Sequence, residues 1–170
     1  GYSYSWLANL KARAKNGEGA VKALEIFAKA FCSINSFHVN GDQTQSGLSK
    51  YTYRPFTLEG NFAFAAGLQE MLIQSYAGFI EIMPAIPANW KNVSFKNLRT
   101  EGACLVSATR ENGSITEVVL TAEEEASIKL KLPFEKYTIT SKGTSKAVRD
   151  GKFLSVQFKA KDKIVLHKID

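Results

Sequence analysis

An α+β fold, in which helices come first and an antiparallel β-sandwich follows, is predicted by two patterns in the sequence. In roughly the first 75 residues apolar side chains recur at helical spacing, whereas from about residue 93 onward they alternate with polar ones. The two patterns do not interleave, which is typical of α+β proteins rather than of βαβ units. We expect a helical segment at residues 1–77, a proline-rich joint with the first strand at 78–92, and the β-sandwich at 93–170.

Three helices are predicted in the first half. The first begins near Ser3 or Ser5, since either hydroxyl is a suitable N-cap. The second is expected at about 19–32 and the third at about 61–74. The third has almost no polar face, and such a helix is normally covered by protein on all sides. Three helices do not supply that cover, so the pattern indicates that it comes from elsewhere.

A long segment at residues 33–60 separates the second and third helices. It is rich in Gly, Ser, Asn and Gln but also holds aromatic and basic side chains, which favours an ordered loop with a function. Asn40, Asp42, Thr44 and Ser46 place oxygens at alternate positions, as in a calcium loop. The glycine and the closing glutamate of such a loop are missing, so the prediction is a polar loop without a metal.

The second half is predicted to consist of antiparallel strands. Asn112-Gly113 and Asp150-Gly151 lie between strand-like runs and are strong hairpin signals. Lysines on the alternate positions suit the solvated face of an antiparallel sheet. Strands are expected at residues 79–83, 93–98, 103–110, 115–122, 126–132, 137–140, 154–158 and 163–167.

Several function classes are disfavoured by composition. The net charge of +6 is mild and spread over both halves, which gives no footprint for nucleic acid. No apolar run approaches the ~20 residues of a membrane helix, and the polar-aromatic opening does not resemble a signal peptide. Cys32 and Cys104 are predicted to be two buried free thiols. His38 is predicted to be a loop histidine and His167 a surface-strand histidine, so neither predicts a metal or cofactor site.

Glu59 is the carboxylate that stands out. It directly precedes the predicted third helix, at the end whose free N–H groups and dipole favour negative charge, which a general base needs. Gly60 is expected to let the backbone turn sharply into that helix. From these residues alone, a catalytic base and a simple helix cap are equally plausible roles for Glu59. Glu70, in mid-helix, is a weaker candidate that needs a partner such as Arg54, and the strand alternation already accounts for Glu81.

The same region resembles glycoside hydrolase family 95, whose members include inverting 1,2-α-L-fucosidases and α-L-galactosidases. The resemblance spans roughly the first 110 residues in the right order, so it is more specific than a single motif. The matching stretches are GYS with Trp6 at the start, PFTLEGNF at 55–62, AGLQEMLIQS at 66–75, GFIEIMPAIP at 78–87 with Trp90, and LR and EGA at 98–103.

The resemblance implies that residues 1–77 are the last helices of an α/α toroid and that the substrate is an oligosaccharide or glycan. It places Glu59 at the family's base position, where the family has an aspartate, with Tyr53, Arg54 and Phe56 as possible sugar contacts. Tyr53 stands where many members have a histidine. The family's general acid lies upstream, so we expect the isolated chain to be a catalytically incomplete fragment that requires the upstream part of the same domain.

Two other interpretations remain open. The β half is alternatively a non-catalytic carbohydrate-binding or interdomain module, and the whole chain is alternatively a structural remnant of a split or truncated gene. Uncovered helix faces predict self-association of the chain. The family resemblance suggests a periplasmic or secreted location, although the sequence itself carries no address.

Overall fold

The computed structural model describes residues 1–169 and divides into two units. One unit, here the helical unit, contains residues 1–72 and 84–87. The other, the β unit, contains residues 73–83 and the chain from residue 88 onward. The residues of the predicted joint, 78–92, therefore fall in both units, and the predicted division at 77 and 93 stays a prediction.

The helical unit contains three helices: α1 (Tyr2–Arg13), α2 (Gly17–Ala30) and α3 (Glu59–Leu72). The predicted caps of α1 are wrong, because Ser3 and Ser5 lie inside the helix and Gly1 is the N-cap residue. The Ser5 hydroxyl instead donates to the carbonyl oxygen of Tyr2 at 2.9 Å. Helix α2 begins two residues earlier than predicted because the Asn16 side chain accepts a hydrogen bond from the Gly19 N–H and caps it.

Small residues bring α1 and α3 close together. Gly67 of α3 faces α1, where a Cβ at Gly67 would lie 3.3 Å from the Cβ of Ala8. The Asn9 amide nitrogen donates to the Ala63 carbonyl of α3 at 2.8 Å, and Arg13 forms an ion pair with Glu70 at 2.9 Å. The sequence had suggested Arg54 as a partner for Glu70, but in the structure Glu70 pairs with Arg13.

Large apolar side chains remain exposed on the other faces of these helices. Tyr2, Trp6 and Leu10 form a stripe at i, i+4 and i+8 of α1, and Trp6 is 55% exposed. On α3, Phe62 is 68% exposed. The buried residues of α3 are Gly60, Gly67 and Met71, which share one side of the helix, so among the described residues of the helical unit one side of α3 is covered.

The β unit begins with a two-stranded antiparallel sheet and continues with two larger antiparallel sheets. The five-stranded sheet has the order β3-β4-β5-β10-β7, and the three-stranded sheet has the order β6-β9-β8. The strands are β1 (Ile73–Gln74), β2 (Glu81–Ile82), β3 (Val93–Thr100), β4 (Cys104–Glu111), β5 (Ser114–Ala122), β6 (Ala126–Lys131), β7 (Tyr137–Lys142), β8 (Lys146–Asp150), β9 (Phe153–Phe158) and β10 (Lys163–Lys168). Three helices followed by antiparallel sheets confirm the α+β prediction.

Both predicted hairpins are present. Asn112 and Gly113 connect β4 to β5 with φ values of 50° and 85°, as the favoured two-residue hairpin turn requires. Asp150 is the last residue of β8 and pairs with Phe153 across the second hairpin. Strand β8 was not named from the sequence, because its residues are mostly exposed and polar and give no apolar alternation.

Alternate positions of the strands supply the core of the β unit. In β4, Cys104, Val106 and Ala108 are buried, and in β10 Ile164 and Leu166 are buried.

Both cysteines of the chain are free, but Cys32 is only half-buried, unlike the prediction. Burial raises the pKa of the Cys104 thiol to about 11, so this thiol stays protonated at neutral pH. None of the helices in residues 1–169 has the length and apolar character needed to cross a bilayer.

Candidate active-site surface

The loop between α2 and α3 folds back on itself and is held by backbone hydrogen bonds. Asn40 donates to the Pro55 carbonyl at 3.0 Å, and Asp42 donates to the Tyr51 carbonyl at 2.8 Å. A Cβ at Gly41 would lie 2.5 Å from the Tyr53 carbonyl oxygen, so only glycine fits between these two segments. Hydrogen bonds between residues 40–42 and residues 51–55 therefore hold the loop in a defined conformation, as the prediction of an ordered loop requires.

Asp42 organises the tip of this loop. It is buried and accepts hydrogen bonds from the N–H (2.9 Å) and hydroxyl (2.6 Å) of Thr44, the Ser46 hydroxyl (3.3 Å) and the Leu48 N–H (3.0 Å). The Thr44 hydroxyl, aided by the two N–H groups and Ser46, lowers the pKa of the Asp42 carboxyl to about 2. The side-chain oxygens of Asp42, Thr44 and Ser46, which belong to the calcium-like pattern, thus hydrogen-bond to one another and close the turn.

Substituting asparagine for Asp42 is expected to loosen this loop. One carboxylate oxygen becomes an N–H donor that cannot accept from Leu48 or Ser46, and charge-assisted hydrogen bonds are lost. Trypsin cleavage after the exposed Lys50, under native conditions, should accelerate about tenfold or more. Asp150→Asn, the same change at an exposed carboxylate in the β unit, should leave this cleavage rate unchanged. Equal rates in both variants would contradict a structural role for Asp42.

The returning arm of the loop carries the predicted sugar-contact residues. Tyr53 and Phe56 are 50% and 56% exposed, and Arg54 is also exposed. Tyr53 packs edge-to-face on Tyr51 at 5.4 Å between ring centroids, which fixes both rings at the surface. The Arg54 Nε donates to the Gln43 side-chain oxygen at 2.5 Å. We call Tyr53, Arg54, Phe56 and Glu59 the loop surface.

The start of α3 presents Glu59. It is the first residue of the helix and is exposed, whereas Gly60 is buried. The Asn61 side chain accepts a hydrogen bond from the His38 N–H and donates one to the Ser36 carbonyl, both at 2.8 Å. Asn61 therefore connects residues 36–38, near the start of the loop, to the turn that carries Glu59.

A buried histidine lies behind this turn. His38 is 1% exposed, its Nδ1 is 2.6 Å from the Thr57 hydroxyl, and its ring packs on Phe27. A Cβ at Gly60 would fall 2.4 Å from Nδ1. Gly60 is not among the residues with positive φ, so its glycine is needed for the close approach of this ring and not for the sharp turn that was expected.

Protonation of His38 is unfavourable in this position. Burial lowers the pKa of His38 below its usual 6.5, the amino terminus lowers it further, and the Glu59 carboxylate acts in the opposite direction. The Nε2 atom is enclosed without a hydrogen-bond partner among residues 1–169. An imidazolium would leave an N–H of a charged ring there without an acceptor.

We therefore expect the stability of the chain to fall as the pH drops below about 6.5, since the unfolded state then binds a proton that the folded state resists. The contribution is fully present above that pH and declines toward the lowered folded-state pKa. Urea midpoints measured at pH 7 and pH 5 should differ more in the wild-type chain than in His38→Asn, which has no titrating ring. An equal pH dependence in both would assign the effect to other groups.

Sequence reasoning did not identify the supports of this turn. His38, Thr57 and Asn61 were not predicted to meet, because their contacts join residues 19 and 23 positions apart in an irregular loop. The segment to examine is the run from Thr57 to Asn61. Thr57, Gly60 and Asn61 of this run contact His38, and Glu59 places its negative charge near that ring.

Comparison with known proteins decides the family. The model described as the glycosyl hydrolase family 95 catalytic domain matches residues 1–72, and the model of the glycoside hydrolase family 95 C-terminal domain matches residues 74–166. The second match alone spans more than half of the chain. The chain belongs to glycoside hydrolase family 95. The family 95 resemblance seen in the sequence is thus confirmed, and the two matches meet at the end of α3.

A curated member of family 95 agrees with this assignment. The chain is 30% identical over 131 residues to a protein of Arabidopsis thaliana named alpha-L-fucosidase 2. The matched part is 76% of this chain but 15% of the relative, so the chain spans a small part of the length of the relative.

Proposed function

We propose that this family 95 chain forms the end of the catalytic domain and the C-terminal domain of a glycoside hydrolase acting on α-L-fucosyl or related glycosides with inversion. The observation that carries the proposal is the exposed Glu59 at the first turn of α3, within a segment that the family's catalytic model matches. Residues 1–72 would be the last helices of an α/α toroid, and the two larger sheets of the β unit would pack as a β-sandwich.

In this proposal Glu59 is the carboxylate at the base position. An inverting hydrolase lets a water oxygen attack the anomeric carbon while the bond to the leaving oxygen breaks. Glu59 would receive the proton of that water, directly or through a neighbouring side chain, and a carboxylic acid on the opposite side would protonate the leaving oxygen. The N-terminus of α3 suits a carboxylate there, because its free N–H groups stabilise negative charge.

The acid is proposed to come from the upstream part of the same domain. Asp42 is unsuited to the role because four hydrogen bonds hold it as a buried anion in the loop tip. Glu70 is engaged by Arg13 between two helices. A water must fit between the acid and base, which are about 6.5–9.5 Å apart in such enzymes.

The remaining members of the loop surface are proposed to hold the sugar. The ring faces of Tyr53 and Phe56 offer apolar area to the C–H face of a pyranose, and the Arg54 guanidinium has donors in a fixed planar fork for sugar hydroxyls. The hydrogen bond from Arg54 to Gln43 restrains that fork before substrate arrives, which reduces the entropy lost on binding.

The proposal is tested by assaying two proteins on 1,2-linked α-L-fucosyl oligosaccharides and on α-L-galactosides. The upstream-extended protein is expected to release sugar of inverted configuration, seen as the β-anomer by NMR in the first minutes. The 170-residue chain alone is expected to show no turnover. Turnover by the isolated chain would disprove its incompleteness, and no hydrolysis by the extended protein would remove the proposed activity.

We also propose that the upstream part of the domain covers the stripe of Tyr2, Trp6 and Leu10 on α1 together with Phe62 of α3. Exposed apolar area of this kind favours association. The isolated chain should therefore elute as a dimer or larger species whose size falls on dilution, whereas the extended protein should be monodisperse. A strictly monomeric isolated chain would contradict this assignment.

A further inference from the structure

The β unit contains a cleft that the proposed hydrolytic reaction does not use. Its volume is about 510 Å³, and it lies at one end of the five-stranded sheet. It is bordered by Arg110 at the end of β4, the start of β5, residues 133–136 of the β6–β7 loop, and Lys168 with Ile169 after β10. All of these residues belong to one unit, so the shape of the cleft is set by the β unit alone.

Arg110 is the unusual member of this cleft. Its Nε is shielded from solvent and has no hydrogen-bond partner in residues 1–169. An enclosed guanidinium N–H without an acceptor is unfavourable, and charged donors in native proteins are normally paired. The planar fork of arginine matches the two oxygens of a carboxylate or a sulfate. Because Nε itself is enclosed, an anion in the cleft would contact the outer Nη groups of this fork.

The rest of the cleft fits an anion that is attached to a larger body. Of the described residues that line the cleft, Lys136 and Lys168 carry positive charge in addition to Arg110, and Glu135 carries negative charge. Phe134, which is buried, contributes apolar surface to the same cleft. A small inorganic ion would leave most of this volume empty.

Two further clefts of the β unit follow, each sharing lining residues with the one before it, and we call the three together the groove. A second cleft of about 470 Å³ shares Arg110 and is lined by side chains that can exchange hydrogen bonds with hydroxyls. A third, of about 620 Å³, shares residues 92–94 with the second and includes Trp90, whose ring is half-buried. The polar lining of the second cleft consists of Asn92, Ser94, Thr109, Glu111 and Asn112.

We propose that this groove binds an acidic oligosaccharide, with a carboxylate or sulfate on Arg110, hydroxyls in the second cleft, and a sugar ring on Trp90. An acidic oligosaccharide presents a charged group, hydroxyls and the C–H face of a sugar ring. These groups suit Arg110, the polar lining of the second cleft and the Trp90 ring, respectively. The site shares no residue with the loop surface and does not depend on the proposed hydrolytic activity, so each can fail without the other.

The test uses the ¹⁵N-labelled 170-residue chain, with the Arg110 Nε–H resonance as the reporter. The probes are a hyaluronan tetrasaccharide, which carries carboxylates only, glucose 6-sulfate, neutral cellotetraose and inorganic sulfate. A saturable shift of the reporter with either acidic saccharide, and none with cellotetraose, is expected, and the two acidic probes tell a carboxylate from a sulfate source.

Variants separate the fork from simple charge. Arg110→Gln should abolish saturable binding, and Arg110→Lys, which keeps the charge without the fork, should weaken it at least about tenfold. Arg99→Gln removes one positive charge from the same unit, outside the groove, and should bind like wild type. The proposal is overturned by no saturable shift with either acidic saccharide, by equal affinity for inorganic sulfate, or by unchanged binding in Arg110→Gln.

Discussion

Glu59→Gln in the upstream-extended protein should lower kcat on α-L-fucosides by about 100- to 10,000-fold, the range that general base catalysis contributes. Glutamine keeps the size and position of the side chain at the first turn of α3 but cannot accept the proton of the attacking water. KM should change little, because the substitution removes an interaction made in the transition state and not one made in the ground state. The measurement is steady-state kinetics with the extended wild-type and variant proteins.

The chain contains a matched control for this substitution. Glu18 occupies the first turn of α2, as Glu59 occupies the first turn of α3, and both residues are exposed. Glu18→Gln therefore removes an acidic group at an equivalent helix position, outside the loop surface, and should leave kcat within about twofold. If Glu59→Gln retains wild-type kcat, Glu59 is not the base-position residue. If both variants lose activity together, the loss reflects helix stability rather than proton transfer.

Sequence periodicity was sufficient for the helices and for most strands of this chain. The alternation in β6 and β9 and the Asn112-Gly113 turn each depend on local residues, so their pattern survives in a single sequence. Helix ends were less predictable, as at α1, where the two serines that resembled caps lie within the helix. Strand β8 was missed because an exposed edge strand buries too little apolar surface to leave a pattern.

The candidate site likewise has parts that the sequence predicted and parts that it did not. Glu59 was found from its place before a helix and from the family resemblance, and the structure puts it in the first turn of α3. The supports behind it were not predictable, because the burial of His38 depends on a loop that returns to place Thr57 and Asn61 around it. Arg110 escaped attention for a similar reason, since an arginine at the end of a strand appears solvated until its neighbours from the β6–β7 loop are known.

Phe27→Ala should be the most damaging single change to the helical unit, at about 3–5 kcal/mol of unfolding free energy. Phe27 is 1% exposed and forms the core of the unit with Ala30 and Phe31. Its ring lies 5.1 Å from the ring of His38 and 5.6 Å from that of Phe64, between ring centroids. Truncation leaves a cavity between α2, α3 and the loop, and it removes the surface against which His38 is held.

Hydrogen exchange of peptides from residues 1–72 is the appropriate measurement for Phe27→Ala, because it reports the helical unit separately from the β unit. Faster exchange is expected first in the peptides that contain His38 and the start of α3. Ile34→Ala is the control: it truncates an apolar side chain of the same unit at an exposed position outside the stripe of Tyr2, Trp6 and Leu10 with Phe62, and should change stability by about 0.5 kcal/mol or less. Equal effects of the two variants would mean that the Phe27 core does not hold this unit together. If only Phe27→Ala destabilises the unit, the Phe27 core holds the turn that carries Glu59 in position through its contact with His38.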